Sequence, residues 1–221
     1  MELIEAIRSR KSIRGFRPDP VPREVLQEIL KTAIRSPSGL NTQPWEFTVV
    51  AGEVLDNIRR ANVEMLTSGV RPNADITMKP LQGVYRQRQV DVGVQLFQLM
   101  GIGREDTQKR AEWTQRGFRF FDVPAVIILS VDRSLDDPRT YMGLGCITQT
   151  ICLAALNYGL GTCINGMGLM YPEVVRRFTG IPESKLTVIC IAVGYPDWDF
   201  PANKLESERE PIENVTTWCG I

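Results

Sequence analysis

Residues 124–131 (PAVIILSV) and 186–193 (LTVICIAV) are apolar almost without interruption and rich in β-branched side chains. A strand with one wet face alternates apolar and polar residues, so a continuous run of this length reads as a buried strand. Both runs fall well short of the ~18 apolar residues that would span a bilayer. Between them, residues 143–158 are small and apolar, punctuated by Gln149 and Cys152, which predicts a central helix packed on most sides. Val25, Leu26, Ile29, Leu30 and Ala33 form the stripe of another core-facing helix, with Pro22 in its first turn and Pro37 closing it. Leu3, Ile4 and Ile7 predict a shorter helix ahead of it. Residues 46–51 read as a strand ended by Gly52, 53–66 and 86–100 as helices, and 172–178 as a short helix opened by proline. The mixture is α+β, with more helices than strands. At 221 residues, one elaborated domain spanning 1–221 is expected.

The chain contains no histidine. Ser-His-Asp and Cys-His catalysis, imidazole-bound zinc and a histidine proton shuttle are all excluded, which shifts the weight to chemistry carried by an organic cofactor. Twenty-six basic and 26 acidic residues cancel, so nothing in the global charge favours a nucleic acid. The five cysteines stand at 146, 152, 163, 190 and 219, with no CxxC pair. An odd count without pairing pattern predicts reduced, structural thiols and a cytoplasmic protein. The first helix carries acidic residues, unlike a signal peptide. With no apolar stretch of membrane length, no membrane association is expected.

Familiar nucleotide signatures are missing. GxG pairs at 143, 159 and 166 each lack the third glycine of a dinucleotide turn, and there is no GxxxxGK[ST]. Three other segments carry polar chemistry. Arg10-Lys11-Ser12-Ile13-Arg14 puts three cations and a hydroxyl within five residues, which suits either a phosphate fork or a solvated basic turn. Residues 36–45 (SPSGLNTQPW) offer hydroxyl and amide groups to a heteroaromatic edge, or form a helix-stop loop with capping side chains. Residues 159–168 (GLGTCINGMG) allow backbone to approach a flat ligand closely. A fourth feature is one more arginine, Arg209, in a tail with no periodicity. Residues 71–119 hold nine Lys/Arg and five Asp/Glu beside Trp113 and Phe118, with Phe120 and Phe121 just beyond. Such an insert could recognise an anionic aromatic substrate, or be a solvated face with snorkelling arginines.

Taken in order, RxSxR…F, PSxxNxQPW, LAAxxxGLGTC and a final R-x-P-I-E resemble the FMN-dependent nitroreductase superfamily. The resemblance runs over about residues 1–50 and 120–215, with the 70–119 insert outside it. It implies a nitroreductase-like fold: a central, mostly antiparallel sheet surrounded by helices, and a C-terminal tail (198–221) exchanged with a homodimer partner. The insert would be a variable helical cover of the substrate pocket. FMN would lie at the subunit interface, its phosphate on Arg10, Ser12 and Arg209 with Lys11 contributing charge or backbone. Arg14 would stand near the ribityl chain or the pyrimidine edge. Pro37, Ser38, Gly39, Asn41 and Gln43 would contact the isoalloxazine and ribityl groups. Ile164, Asn165 and Gly166 would form the turn whose backbone N–H approaches flavin N5.

No side chain is then needed as a catalytic acid or base. The resemblance implies hydride taken from NAD(P)H and passed in ping-pong order to a nitroaromatic, a quinone or a similar small electron-poor ring, with protons from water. Relatives also include reductive dehalogenases, enoyl-type reductases and flavin-fragmenting enzymes, and a non-catalytic flavin-binding module would carry the same binding motifs. Cys163 reads as a packed small residue rather than a nucleophile. No metal ligand set is expected.

Overall fold

The computed structural model describes residues 2–221. Four strands form one sheet: β1 (Glu46–Ala51), β2 (Ala125–Asp132), β3 (Gly161–Asn165) and β4 (Lys185–Gly194), in the order β1-β2-β4-β3. Every pairing is antiparallel, and a bulge interrupts the β2–β4 register between Leu129 and Ser130. Among the described residues seven α-helices accompany the sheet: α1 (Leu3–Ser9), α2 (Arg23–Ala33), α3 (Gly52–Thr67), α4 (Gly83–Leu99), α5 (Thr107–Phe118), α6 (Pro138–Leu156) and α7 (Pro172–Thr179).

The two apolar runs become the two central strands, β2 and β4, and each is covered on both faces. Because successive side chains of a strand point to opposite sides, β2 feeds two cores. Ile127, Leu129 and Val131 pack with α2 and α6 through Leu26, Ile29, Ile147 and Ile151. Val126 and Ile128 pack on the other side with Leu55 and Ile58 of α3, Phe118 of α5 and Val174 and Val175 of α7. The result is a helix–sheet–helix sandwich. Helix α6 begins earlier than its apolar stretch, because Asp137 caps it by accepting from Arg139 N (2.7 Å) and Thr140 N (3.3 Å), with Pro138 in the first turn.

Three expectations need correction. Ile164 and Asn165 are not in a turn: they end β3, an edge strand, and the turn starts at Gly166. The aromatic cluster of the insert is mostly core: Phe118, Phe120 and Phe121 are buried, since a benzyl side chain has no polar tip to keep wet. The tail is not without a core along its whole length. Residues 200–205 dock on this same chain, with Ala202 and Leu205 buried beside Leu96 and Phe200, and only the residues beyond 205 are open to solvent throughout their apolar positions.

Candidate functional site

The N-terminal motif lies along the outer edge of β3. Ser12 makes a parallel bridge to Thr162, and Ile13 N donates to Thr162 O at 2.9 Å. Ile13 is buried over Gly161, where an added Cβ would stand 2.6 Å from Ile13 Cγ1 and 2.8 Å from Pro196 Cγ. Only glycine admits this contact, which explains the second glycine of the GLG pair. Arg14 and Gly15 are held from the far end of the chain. Asn203 Oδ1 accepts from Arg14 N (2.7 Å) and Gly15 N (3.1 Å), while its Nδ2 donates to Gly15 O and Asp197 O, both at 2.7 Å.

A cleft of about 710 Å³ opens where this motif meets the tail, lined by Arg8, Arg10, Lys11, Trp198, Glu206 and Arg209, among others. Chain ends nearly 200 residues apart thus bring Arg10, Lys11 and Arg209 together. The one acid in the lining, Glu206, approaches Lys11 at 3.9 Å. Arg209 bonds the carbonyls of Ser207 and Glu208, each at 2.9 Å, and the Ser207 hydroxyl at 2.8 Å. Among the described residues neither Arg10 nor Arg209 pairs with a carboxylate, so the cleft carries excess positive charge. A cleft with this surplus, of a size that suits small ligands, fits a phosphorylated organic group.

The polar loop after α2 stands elsewhere. Ser38 lies against Gly143 of α6, whose added Cβ would be 3.7 Å from Ser38 Cβ. Ser38 Oγ accepts from Gln43 N at 3.0 Å, Gln43 Nε2 donates to Asn41 O at 3.4 Å, and Ser36 Oγ donates to Thr150 Oγ1 at 2.7 Å. Leu40, Asn41 and Gln43 all have left-handed backbone (φ 52, 56 and 46°), costly for non-glycine residues and typical of functional loops. Gly39 and Pro37 are exposed, while the Trp45 that closes the motif is buried in the core. The cation cleft of one chain has no lining from residues 37–43 or from 164–166.

At the end of β3, Ile164 is 43% exposed and Gly166 is open, whereas Asn165 is buried. The Asn165 side chain faces inward, toward α5 rather than the surface. Cys163, in the middle of β3, is buried. Burial pushes its thiol up, against the opposing pull of Arg14, Ser12 and Arg10. The thiol stays protonated, as a packed residue would. Sequence reasoning missed Asn203 and Arg116, the latter donating from α5 to Arg14 O at 3.2 Å. Burial draws the Arg116 guanidinium below its ordinary proton affinity, partly offset by Asp122.

A model of the Nitroreductase family matches residues 7–195. The chain belongs to the nitroreductase family. It is similar to the chloronitrobenzene nitroreductase of Comamonas testosteroni, with 33% identity over 97% of this chain and 95% of that one. The nitrobenzene nitroreductase of Ectopseudomonas oleovorans is 34% identical over the same shares. Among solved structures, the FMN and NADPH-dependent nitroreductase NfnB from sphigopyxis sp. strain HMH matches all of both chains, with a TM-score of 0.95 and 29% identity. The FMN-dependent NfnB from Mycobacterium smegmatis, solved in complex with NADPH, gives 0.92 and 28% over 98% of this chain and 97% of that one. These matches run through residues 70–119, so the insert is shared with these relatives rather than lying outside the resemblance. Among the described residues no helix is long and apolar enough to cross a membrane.

Proposed function

We propose that the protein is an FMN-dependent oxidoreductase that draws hydride from NAD(P)H and reduces nitroaromatics, quinones or similar electron-poor rings, as a cytoplasmic homodimer. The observation that carries this reading is the gathering of Arg10, Lys11 and Arg209 in one cleft with a single carboxylate. When bound, FMN supplies hydride transfer at N5, accepting from NAD(P)H and passing two electrons to the acceptor in ping-pong order. Arg10, Lys11 and Arg209 hold the phosphate by charge-assisted hydrogen bonds, and the Ser12 hydroxyl adds a further donor. Arg14, fixed through its backbone, presents a cation to the pyrimidine edge and stabilises negative charge there. The backbone N–H of Gly166, the first residue past the end of β3, would approach N5, with Ile164 and Asn165 beside it. Pro37, Ser38, Gly39, Asn41 and Gln43 reach the ring and ribityl chain from the partner subunit.

Two features support the dimer. Helix α1 buries none of its residues, leaving Leu3, Ile4 and Ile7 exposed, and the tail exposes Ile212, Val215 and Trp218. Apolar surface of this kind is expected to be covered by another chain. Residues 206–221 then wrap the partner, while 200–205 stay on their own chain. The cleft of α5 and the segment before it, about 420 Å³ and lined by Lys109, Trp113, Arg116 and Arg119, lies within the 70–119 insert that would cover the acceptor.

The test is the visible spectrum of purified protein after FMN addition and desalting, then after anaerobic NADPH or NADH. Flavin bands that persist and bleach are expected. Protein that keeps no flavin would refute the reading, and bands that persist unbleached would reduce it to flavin binding. Reductive dehalogenation is a second reading, favoured by 29% identity over 96% of this chain to an iodotyrosine dehalogenase 1 homolog of Caenorhabditis elegans, of which the chain spans 59%. Halide release from halogenated phenols separates it from nitro reduction.

A further inference from the structure

Two consecutive residues in the last turn of α5 are bonded to the two segments assigned to the flavin ring. Arg116 Nη2 donates to Arg14 O at 3.2 Å. The same guanidinium pairs with Asp122 at 3.0 Å and lies over the Phe200 ring, 4.9 Å from its centroid. The next carbonyl, Gly117 O, accepts from Asn165 Nδ2 at 2.9 Å. Asn165 Oδ1 in turn accepts from Met167 N at 2.6 Å and Gly168 N at 3.2 Å, shaping the turn that follows β3. Phe118 O accepts from Asn62 Nδ2 at 3.1 Å, and that amide also donates to Gly168 O at 2.9 Å.

Packing repeats these ties. A Cβ added to Gly117 would stand 2.4 Å from Met167 Sδ, and one added to Gly168 would stand 2.0 Å from the Phe120 ring. Just past α5, Phe120, Phe121 and Asp122 are all left-handed (φ 57, 56 and 57°), a conformation that persists only when its surroundings impose it. Arg59 imposes part of it, with Nε donating to Arg119 O at 3.1 Å and Nη2 donating to Val123 O. The last carbonyls of a helix have no partner inside the helix and commonly face water. Here two of them are satisfied by buried asparagines of α3 and β3, so α5 ends in a fixed joint.

We propose that the last turn of α5 is a positioning bridge, setting the spacing between Arg14 and the Asn165–Gly166 backbone, with the Asn165 side chain serving the reaction through α5. This rests on the assignment of those segments to FMN given above. The insert helix and the turn that faces N5 then move as one body, and a change at either is felt at the other.

Hydrogen–deuterium exchange on flavin-free and FMN-loaded protein tests the bridge, using wild type, Asn165→Ala and Gly117→Ala. Gly117→Ala is expected to speed exchange across residues 165–170, and Asn165→Ala across 112–119, each about tenfold, with β2 and β4 unchanged. Saturating FMN should slow both segments of the wild type together. In the loaded variants, the limiting rate of bleaching by NADPH should fall about tenfold with KM unchanged, as expected for a donor moved off its aim. Exchange changes confined to the substituted segment, or bleaching at the wild-type rate in both variants, would overturn the bridge. Gly117→Ala is the milder change, because the Met167 thioether is flexible, and it carries the test alone if Asn165→Ala does not fold. Failure of the flavin assignment shows differently, as wild-type protein that retains no FMN.

Discussion

In the cation cleft, Lys11 meets Glu206 only at 3.9 Å and Arg209 folds back on its own segment. At the joint between α5 and β3, Asn62 and Asn165 are buried and their hydrogen bonds run from 2.6 to 3.2 Å. Attraction between a phosphate and several cations falls off slowly with distance and tolerates mobile side chains. Aiming a backbone N–H at one ring atom tolerates little error. On the proposed assignment, the difference teaches that one end of the site would capture and the other would hold an angle. Salt should distinguish them, because it screens exposed charges far more than buried amide bonds.

The largest effect on stability is expected at Asn203, 2% exposed with four hydrogen bonds to Arg14, Gly15 and Asp197. Asn203→Ala leaves the Arg14 and Gly15 N–H groups unpaired, while Gly15 O and Asp197 O keep the bonds they accept from Asp197 N and Phe200 N, and should cost about 3 kcal/mol, read as a fall in Tm that added salt does not change. A Tm within about 1 °C of wild type would break the contrast between a fixed and a mobile region.

Asp75 comes next. It ties residues 70–82 to the sheet, accepting from Thr187 N and Oγ1, both at 2.8 Å, and pairing with Arg176 at 2.6 Å and Arg133 at 3.2 Å. Burial alone would raise its pKa, but hydrogen bonds from Thr187 and Arg176 outweigh that and hold the carboxyl below the usual carboxylate range. A depressed carboxylate contributes stability that is complete above the unfolded pKa and is lost as pH falls through the folded one. Asp75→Asn should therefore cost about 2 kcal/mol at neutral pH and flatten the acid limb of the stability curve, checked by urea unfolding between pH 7 and 3. An unchanged acid limb would contradict the role given to this carboxylate.

Gly161→Ala should destabilise by about 2 kcal/mol, since its Cβ would be forced onto Ile13 and Pro196, and should weaken FMN retention by displacing Ser12. The smallest effect on stability belongs to the cleft. Lys11→Gln should change stability by less than about 0.5 kcal/mol while making FMN affinity lower and less salt-dependent. If instead it unfolds the protein, the cleft is structural.

The two central strands were legible because burial on both faces leaves an unbroken apolar run, and α2 because its stripe is regular. Strand β3 was not, since five residues opening on glycine at a sheet edge look like a turn. The start of α6 was hidden in Asp137-Pro138, a cap that carries no periodicity. Arg10, Lys11 and Arg209 were legible as a set only through the family resemblance, as nothing in spacing joins residues 10 and 209. Asn62, Asn165 and Asn203 work through carboxamide bonds to distant backbone, which leave no pattern along the chain. The aromatics around residue 120 looked like recognition but serve the core, because residue type alone does not say which side of a helix is wet.

The most direct test of the cleft is to titrate FMN and riboflavin, which lacks the phosphate, into wild type and into an Arg10→Ala/Arg209→Ala protein. Wild type should prefer FMN by about 100-fold, and the variant should bind the two nearly alike, as two lost charge-assisted bonds predict. An undiminished preference for FMN in the variant would place the phosphate elsewhere and contradict the site.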